Sequence, residues 1–74
     1  MFVVVDSGIK VWKNSANKPH REDGPAIEYP DGGKEWWVDG KLHRVGGPAI
    51  EWDDGLERWY FNGNYILDTL ARRE

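Results

Sequence analysis

The residues that could do chemistry are few, and most occur twice. His20 and His43 each precede an arginine, Arg21 and Arg44. Glu28 and Glu51 follow at equal distances. Two carboxylates on one face are the minimum for glycoside hydrolysis. Occurrence at one repeated position points instead to a shared structural role. Two histidines, scattered carboxylates and no cysteine do not supply the three or four convergent ligands of a metal site; no metal or other cofactor is expected. Ser7, Ser15 and Thr69 are the only non-phenolic hydroxyls, and none lies in a G-x-S-x-G context. A non-enzyme is expected. What remains is aromatic: five Trp, three Tyr and two Phe in 74 residues.

These residues recur because the chain repeats. Residues 19–40 read PHREDGPAIEYPDGGKEWWVDG and residues 42–63 read LHRVGGPAIEWDDGLERWYFNG. Eleven of the 22 positions are identical, at a period of 23. They include Gly24/Gly47 and Trp36/Trp59 beside the His-Arg pairs. A partial copy precedes them: Asp6–Asn14 aligns with Asp31–Asp39, so that Trp12 matches Trp37. One domain is expected over 1–74: a half repeat at 6–18, repeats at 19–41 and 42–64, and a cap at 65–74. The histidines are expected to bond turn carbonyls, and the arginines to tie hairpins together through Asp or Glu.

Gly-containing turn dipeptides fall every seven or eight residues: Asp23-Gly24, Asp31-Gly32, Asp39-Gly40, Gly46-Gly47, Asp54-Gly55 and Asn62-Gly63. Such spacing holds one strand and one turn. The fold class is therefore all-β: an antiparallel up-and-down meander of 23-residue hairpins in one twisted sheet. Alternation places Val11, Ile27, Tyr29, Trp36, Val38, Ile50, Trp52, Trp59 and Phe61 on an apolar face. Lys10, Trp12, Glu28, Glu35, Trp37, Glu51, Arg58 and Tyr60 form a mixed face. The tail lacks Gly and Pro after Gly63, and Ile66, Leu67 and Leu70 fall near helical spacing. A short C-terminal helix over 65–74, ending on Arg72 and Arg73, is expected.

Gly33-Lys-Glu-Trp-Trp-Val-Asp-Gly-Lys-Leu-His43 resembles a MORN repeat, which has a 23-residue period and a G-x-W-x-N-G-K-x-H-G core. Trp37, Asp39, Gly40, Lys41 and His43 fall on core positions, as do Tyr60, Asn62 and Gly63 in the next copy. Where that family has Gly after His, this chain has Arg21 and Arg44, followed by Gly-Pro-Ala-Ile-Glu. The H-R-x-x-G-P-A variant resembles repeats of small bacteriophage and large-virus proteins. The resemblance implies protein–protein contact and self-association.

Charge is uneven. Residues 1–21 carry +3, residues 22–57 carry −7 and residues 58–74 carry +1. The acidic middle repels phosphate, so no nucleic-acid partner is expected. It suits a basic protein surface instead. The longest apolar run, Met1 to Val5, is too short to span a bilayer, and no signal-peptide pattern is visible. No membrane partner is expected, and the cytoplasm (a host cytoplasm, if viral) is the expected location.

Three functions stay open. The first is a viral adaptor or inhibitor of a host protein, such as a defence enzyme, bound through Trp12, Trp37, Tyr60, Glu28, Glu51, Glu35 and Arg58. The second is sequestration of a nucleotide-like or sugar ligand on aromatic faces. The third is structural self-association. A homodimer is expected, because one short helix cannot cover the apolar face; it forms either by packing apolar faces or by joining the edge strands at 2–5 or near 64–67 into a continuous sheet about a two-fold axis.

Overall fold

The computed structural model describes residues 2–70. They are all β, with no helix among them: β1 (Phe2–Asp6), β2 (Ile9–Lys13), β3 (Ile27–Glu28), β4 (Lys34–Glu35), β5 (Trp37–Val38), β6 (Lys41–Leu42), β7 (Ile50–Glu51), β8 (Leu56–Phe61) and β9 (Asn64–Leu70). Every pairing is antiparallel. Seven strands form one sheet in the order β1-β2-β3-β4-β7-β8-β9.

Two turn types build it. Ser7-Gly8, Asp39-Gly40 and Asn62-Gly63 are two-residue turns with both residues at positive φ, +50 and +81 in the last. This is the primed geometry that matches strand twist. Residues 30–32 and 53–55 are three-residue loops. In the first, Tyr29 N donates to Gly33 O at 2.9 Å and Gly32 N to Tyr29 O at 3.1 Å. Gly32 and Gly55 take the left-handed position, at φ +98 and +93. Asp31 and Asp54 accept from the N–H two residues on, at 2.9 and 3.0 Å.

The expected single sheet is corrected by a detour. After Asp39-Gly40 the chain pairs back only at Lys41–Leu42, forming the separate β5-β6 pair. It then leaves the sheet at His43 and returns at Ala49, where β7 pairs with β4. Trp36 is the hinge: its N–H donates to Ala49 O at 2.7 Å, and its C=O accepts from His43 N at 3.1 Å. Trp12 does the same, with Ala26 O at 2.7 Å and His20 N at 2.9 Å. Structurally Trp12 therefore matches Trp36, not Trp37. Residues 14–18 absorb the offset in a wider turn, where Asn14 Oδ1 accepts from Ala16 N and Lys18 N.

The two expected faces are also corrected. Ile27 lies opposite Glu35, and Ile50 opposite both Glu35 and Arg58. Cross-strand partners share a face. One face therefore carries Val11, Ile27, Tyr29, Glu35, Trp37, Ile50, Trp52, Arg58 and Tyr60. The other carries Lys10, Trp12, Glu28, Trp36, Val38, Glu51, Trp59 and Phe61. The cause is loop parity: a three-residue loop pairs residues of equal parity, whereas a two-residue turn would set Trp36 opposite Ile27.

The expected helix is overturned over its described part. Residues 64–70 are β9, paired with β8 over its whole length. Ile66 and Leu67 stand where His-Arg would recur after another 23 residues, so nothing lifts the chain off. Trp59 Nε1 donates to Thr69 Oγ1 at 2.8 Å, and Thr69 Oγ1 donates to Glu57 Oε1 at 2.8 Å. Ile66 is the extra residue of a β-bulge between Trp59↔Leu67 and Tyr60↔Tyr65. Residues 71–74, including Arg72 and Arg73, lie outside the described residues.

The core is small: Ala26 and Ala49 are 0% exposed and Ile50 is 7% exposed. Stability should therefore be sensitive to turn chemistry. Asn62 sits at φ +50, where a residue other than Gly, Asn or Asp loses roughly 1–2 kcal/mol. Asn62→Ala should lower the unfolding midpoint by about 4–8 °C for each kcal/mol lost, and Asn62→Gly should restore most of it.

Candidate functional site

The H-R-x-x-G-P-A motif is an arch seated on one sheet face. His20 Nδ1 accepts from Asp39 N and His43 Nδ1 from Asn62 N, both at 3.0 Å and 19 residues ahead. The histidines therefore bond turn N–H groups, not the expected carbonyls. Each closes a two-residue turn whose left-handed first residue points its N–H at the ring. An accepting ring nitrogen carries no proton.

The arginines reach backwards. Arg21 Cζ stands 4.0 Å from the Trp12 ring centroid and Arg44 Cζ 3.8 Å from that of Trp36. Arg44 Nη1 donates to Pro48 O at 3.1 Å and to Glu51 Oε2 at 2.9 Å. Arg21 Nη1 donates to Pro25 O at 3.2 Å and Glu28 Oε2 at 3.5 Å; its Nε meets Asp23 at 3.1 Å. The motif glycines make room for this. A Cβ on Gly47 would lie 2.8 Å from Arg44 Cζ, and one on Gly24 3.1 Å from Arg21 Cζ.

Glu28 and Glu51 are thus held by arginines, with Lys34 between them in register. Trp12 lies under Arg21. Glu28, Glu51 and Trp12 are engaged on the face that the arches cover. The other expected partner-binding residues, Glu35, Trp37, Arg58 and Tyr60, lie on the opposite face.

That face has a centre the sequence did not show. Glu35 is only 8% exposed. Tyr29 Oη donates to its Oε2 at 2.7 Å, and Trp37 Nε1 to its Oε1 at 2.8 Å. One carboxylate thereby fixes two aromatic rings. Trp52 packs on Tyr29 with ring centroids 5.7 Å apart, over Gly33. Tyr60 meets Tyr65 edge-on at 5.7 Å, and Arg58 lies 3.6 Å from Asp68. Alternation along the sequence does not reveal that Tyr29, Trp52 and a buried Glu35 share this face, because it does not show the three-residue loop at 30–32.

Two open depressions flank these features. One, about 370 Å³, is bordered by Trp52, Lys34 and the acidic Asp31, Glu51, Asp53 and Glu57. The other, about 680 Å³, lies between the arches and is bordered by Arg21, Trp36, His43, Arg44 and Val45. Among the described residues no group of three or more His, Asp or Glu is placed to hold a metal ion. No helix there is long and apolar enough to cross a membrane. No protein family, curated protein or solved structure matches the chain.

Arg44→Lys should cost about 1–2 kcal/mol, because a lysine loses the stacked, forked geometry. Gly47→Ala should cost a similar amount by displacing the same guanidinium. The double variant should fall short of the sum, since both changes break one arrangement; a urea-unfolding cycle measures this.

Burial, and next the bond to Glu35, push the Tyr29 hydroxyl up to about 12 from 10.0. A raised pKa means that the folded state holds the proton more tightly. This contribution to stability is complete below pH 10 and is lost as pH climbs towards 12. Absorbance titration should show a phenol ionising near pH 12, and Tyr29→Phe should remove that step.

Proposed function

We propose that the chain is a small non-catalytic interaction module, of the MORN-like type, that binds a host protein through its sheet and modulates or inhibits it. The host cytoplasm is the proposed location, and a regulatory or defence enzyme the proposed class of target. The observation carrying this reading is the arch-free face, which carries Tyr29, Trp37, Trp52, Tyr60 and Arg58. Aromatic residues and arginine dominate binding hot spots. Tyr29 and Trp37 are already immobilised by Glu35, so ordering them on binding costs little further entropy. The H-R-x-x-G-P-A repeat, similar to those of phage and large-virus proteins, supports the viral part of the reading.

Immobilised chain should capture one protein in stoichiometric amount from host lysate. Trp52→Ala and Arg58→Glu should each reduce capture at least tenfold, roughly 1.4 kcal/mol. Recovery of no such protein sinks the proposal. Saturable quenching of tryptophan fluorescence by a cyclic nucleotide or oligosaccharide, without capture, would favour ligand sequestration instead.

A further inference from the structure

We infer that β1 is the pairing edge of a two-fold homodimer, joined to β1 of a second copy in a continuous antiparallel sheet. This surface differs from the proposed partner face and does not depend on it.

Among the described residues the sheet has two open edges, β1 and β9. Seven antiparallel strands make both edges run in the same direction. A second copy added by translation would therefore meet edge to edge in parallel. Only a two-fold axis sets an edge antiparallel to itself, and such an axis closes the assembly. Of the two edges, β9 carries the bulge at Ile66, and a bulge twists an edge away from pairing. β1 has no bulge, and its register with β2 runs unbroken from Phe2↔Lys13 to Asp6↔Ile9.

The backbone of β1 is self-complementary. The pair flanking a two-residue turn is hydrogen-bonded, so Asp6↔Ile9, Val4↔Val11 and Phe2↔Lys13 are the bonded pairs. Val3 and Val5 therefore aim their N–H and C=O groups outwards. Centring the axis on Val4 sets Val3 opposite Val5 of the second copy, and the reverse. Four hydrogen bonds form, with Val4 against Val4 between them. Phe2, Val3, Val4 and Val5 are 40–60% exposed before pairing, and β-branched cross-strand pairs are favourable.

Charge complements this register. Phe2 lies opposite Lys13 within the chain and opposite Asp6 of the second copy. Asp6 and Lys13 then share one face, about 10 Å apart at the backbone, within reach of a lysine side chain. The two-fold repeats this attraction, and no like charges stand opposite one another.

Light scattering at tens of micromolar should give twice the 8.6 kDa chain mass. Val5→Pro removes only an outward N–H, so it should halve the mass while keeping the near-ultraviolet dichroism of the folded chain. Leu67→Lys on β9 should leave the mass unchanged. Asp6→Lys should weaken the dimer about tenfold at low salt, and Asp6→Lys with Lys13→Asp should restore it. If Val5→Pro fails to fold, hydrogen exchange decides: the Val3 and Val5 amides should become protected as concentration rises. A mass of 8.6 kDa throughout, concentration-independent exchange at Val3 and Val5, or loss of the dimer in Leu67→Lys overturns the inference.

Discussion

The whole architecture depends on an arginine laid over a tryptophan. A 74-residue chain with a core of two alanines and an isoleucine cannot hold two layers together by apolar burial alone. The guanidinium supplies a directional substitute. It covers an indole face, ties the arch through a proline carbonyl, and neutralises a glutamate on the strand below. The alanines that follow the prolines, Ala26 and Ala49, are fully buried. Glycine is required beside the guanidinium because a Cβ would occupy its seat. The arginine and the glycine of the motif thus follow from one arrangement. The histidine carries the same logic forwards, fastening the next turn.

The two faces differ in kind. Arches, arginines and histidines occupy one face and make the repeat cohere. The opposite face is left to Tyr29, Glu35, Trp37, Trp52, Arg58 and Tyr60, with Glu35 as their anchor. A carboxylate this inaccessible is tolerable because both oxygens accept hydrogen bonds from aromatic donors.

The antiparallel meander was legible because dipeptides such as Asp39-Gly40 and Asn62-Gly63 carry a local turn signature; Asp23-Gly24 and Gly46-Gly47, which look alike, lie in the arches and join no hairpin. The faces were not. Asp31-Gly32 and Asp39-Gly40 look alike as dipeptides, yet one ends a three-residue loop and the other is a complete two-residue turn. That single residue inverts every side chain beyond it. Trp12 aligns with Trp37 in sequence but with Trp36 in structure for a related reason: the wider turn at 14–18 hides which of two adjacent tryptophans is its counterpart. The tail misled because Ile66, Leu67 and Leu70 suit a helix face as well as an edge strand. The decision was tertiary, through the hydrogen-bonded ladder to β8 and the Trp59–Thr69–Glu57 chain.

Ile66 and Leu67, standing where another His-Arg pair would fall, act as a full stop. Each His-Arg pair makes the chain depart and begin another unit; without it the strand runs straight along its neighbour. The number of units is thus written locally, two residues at a time, with no reference to the size of the whole. A 23-residue cassette copied in frame would bring its own arginine seat, its own turn clasp and its own alanine floor. Such a molecule lengthens or shortens by whole units.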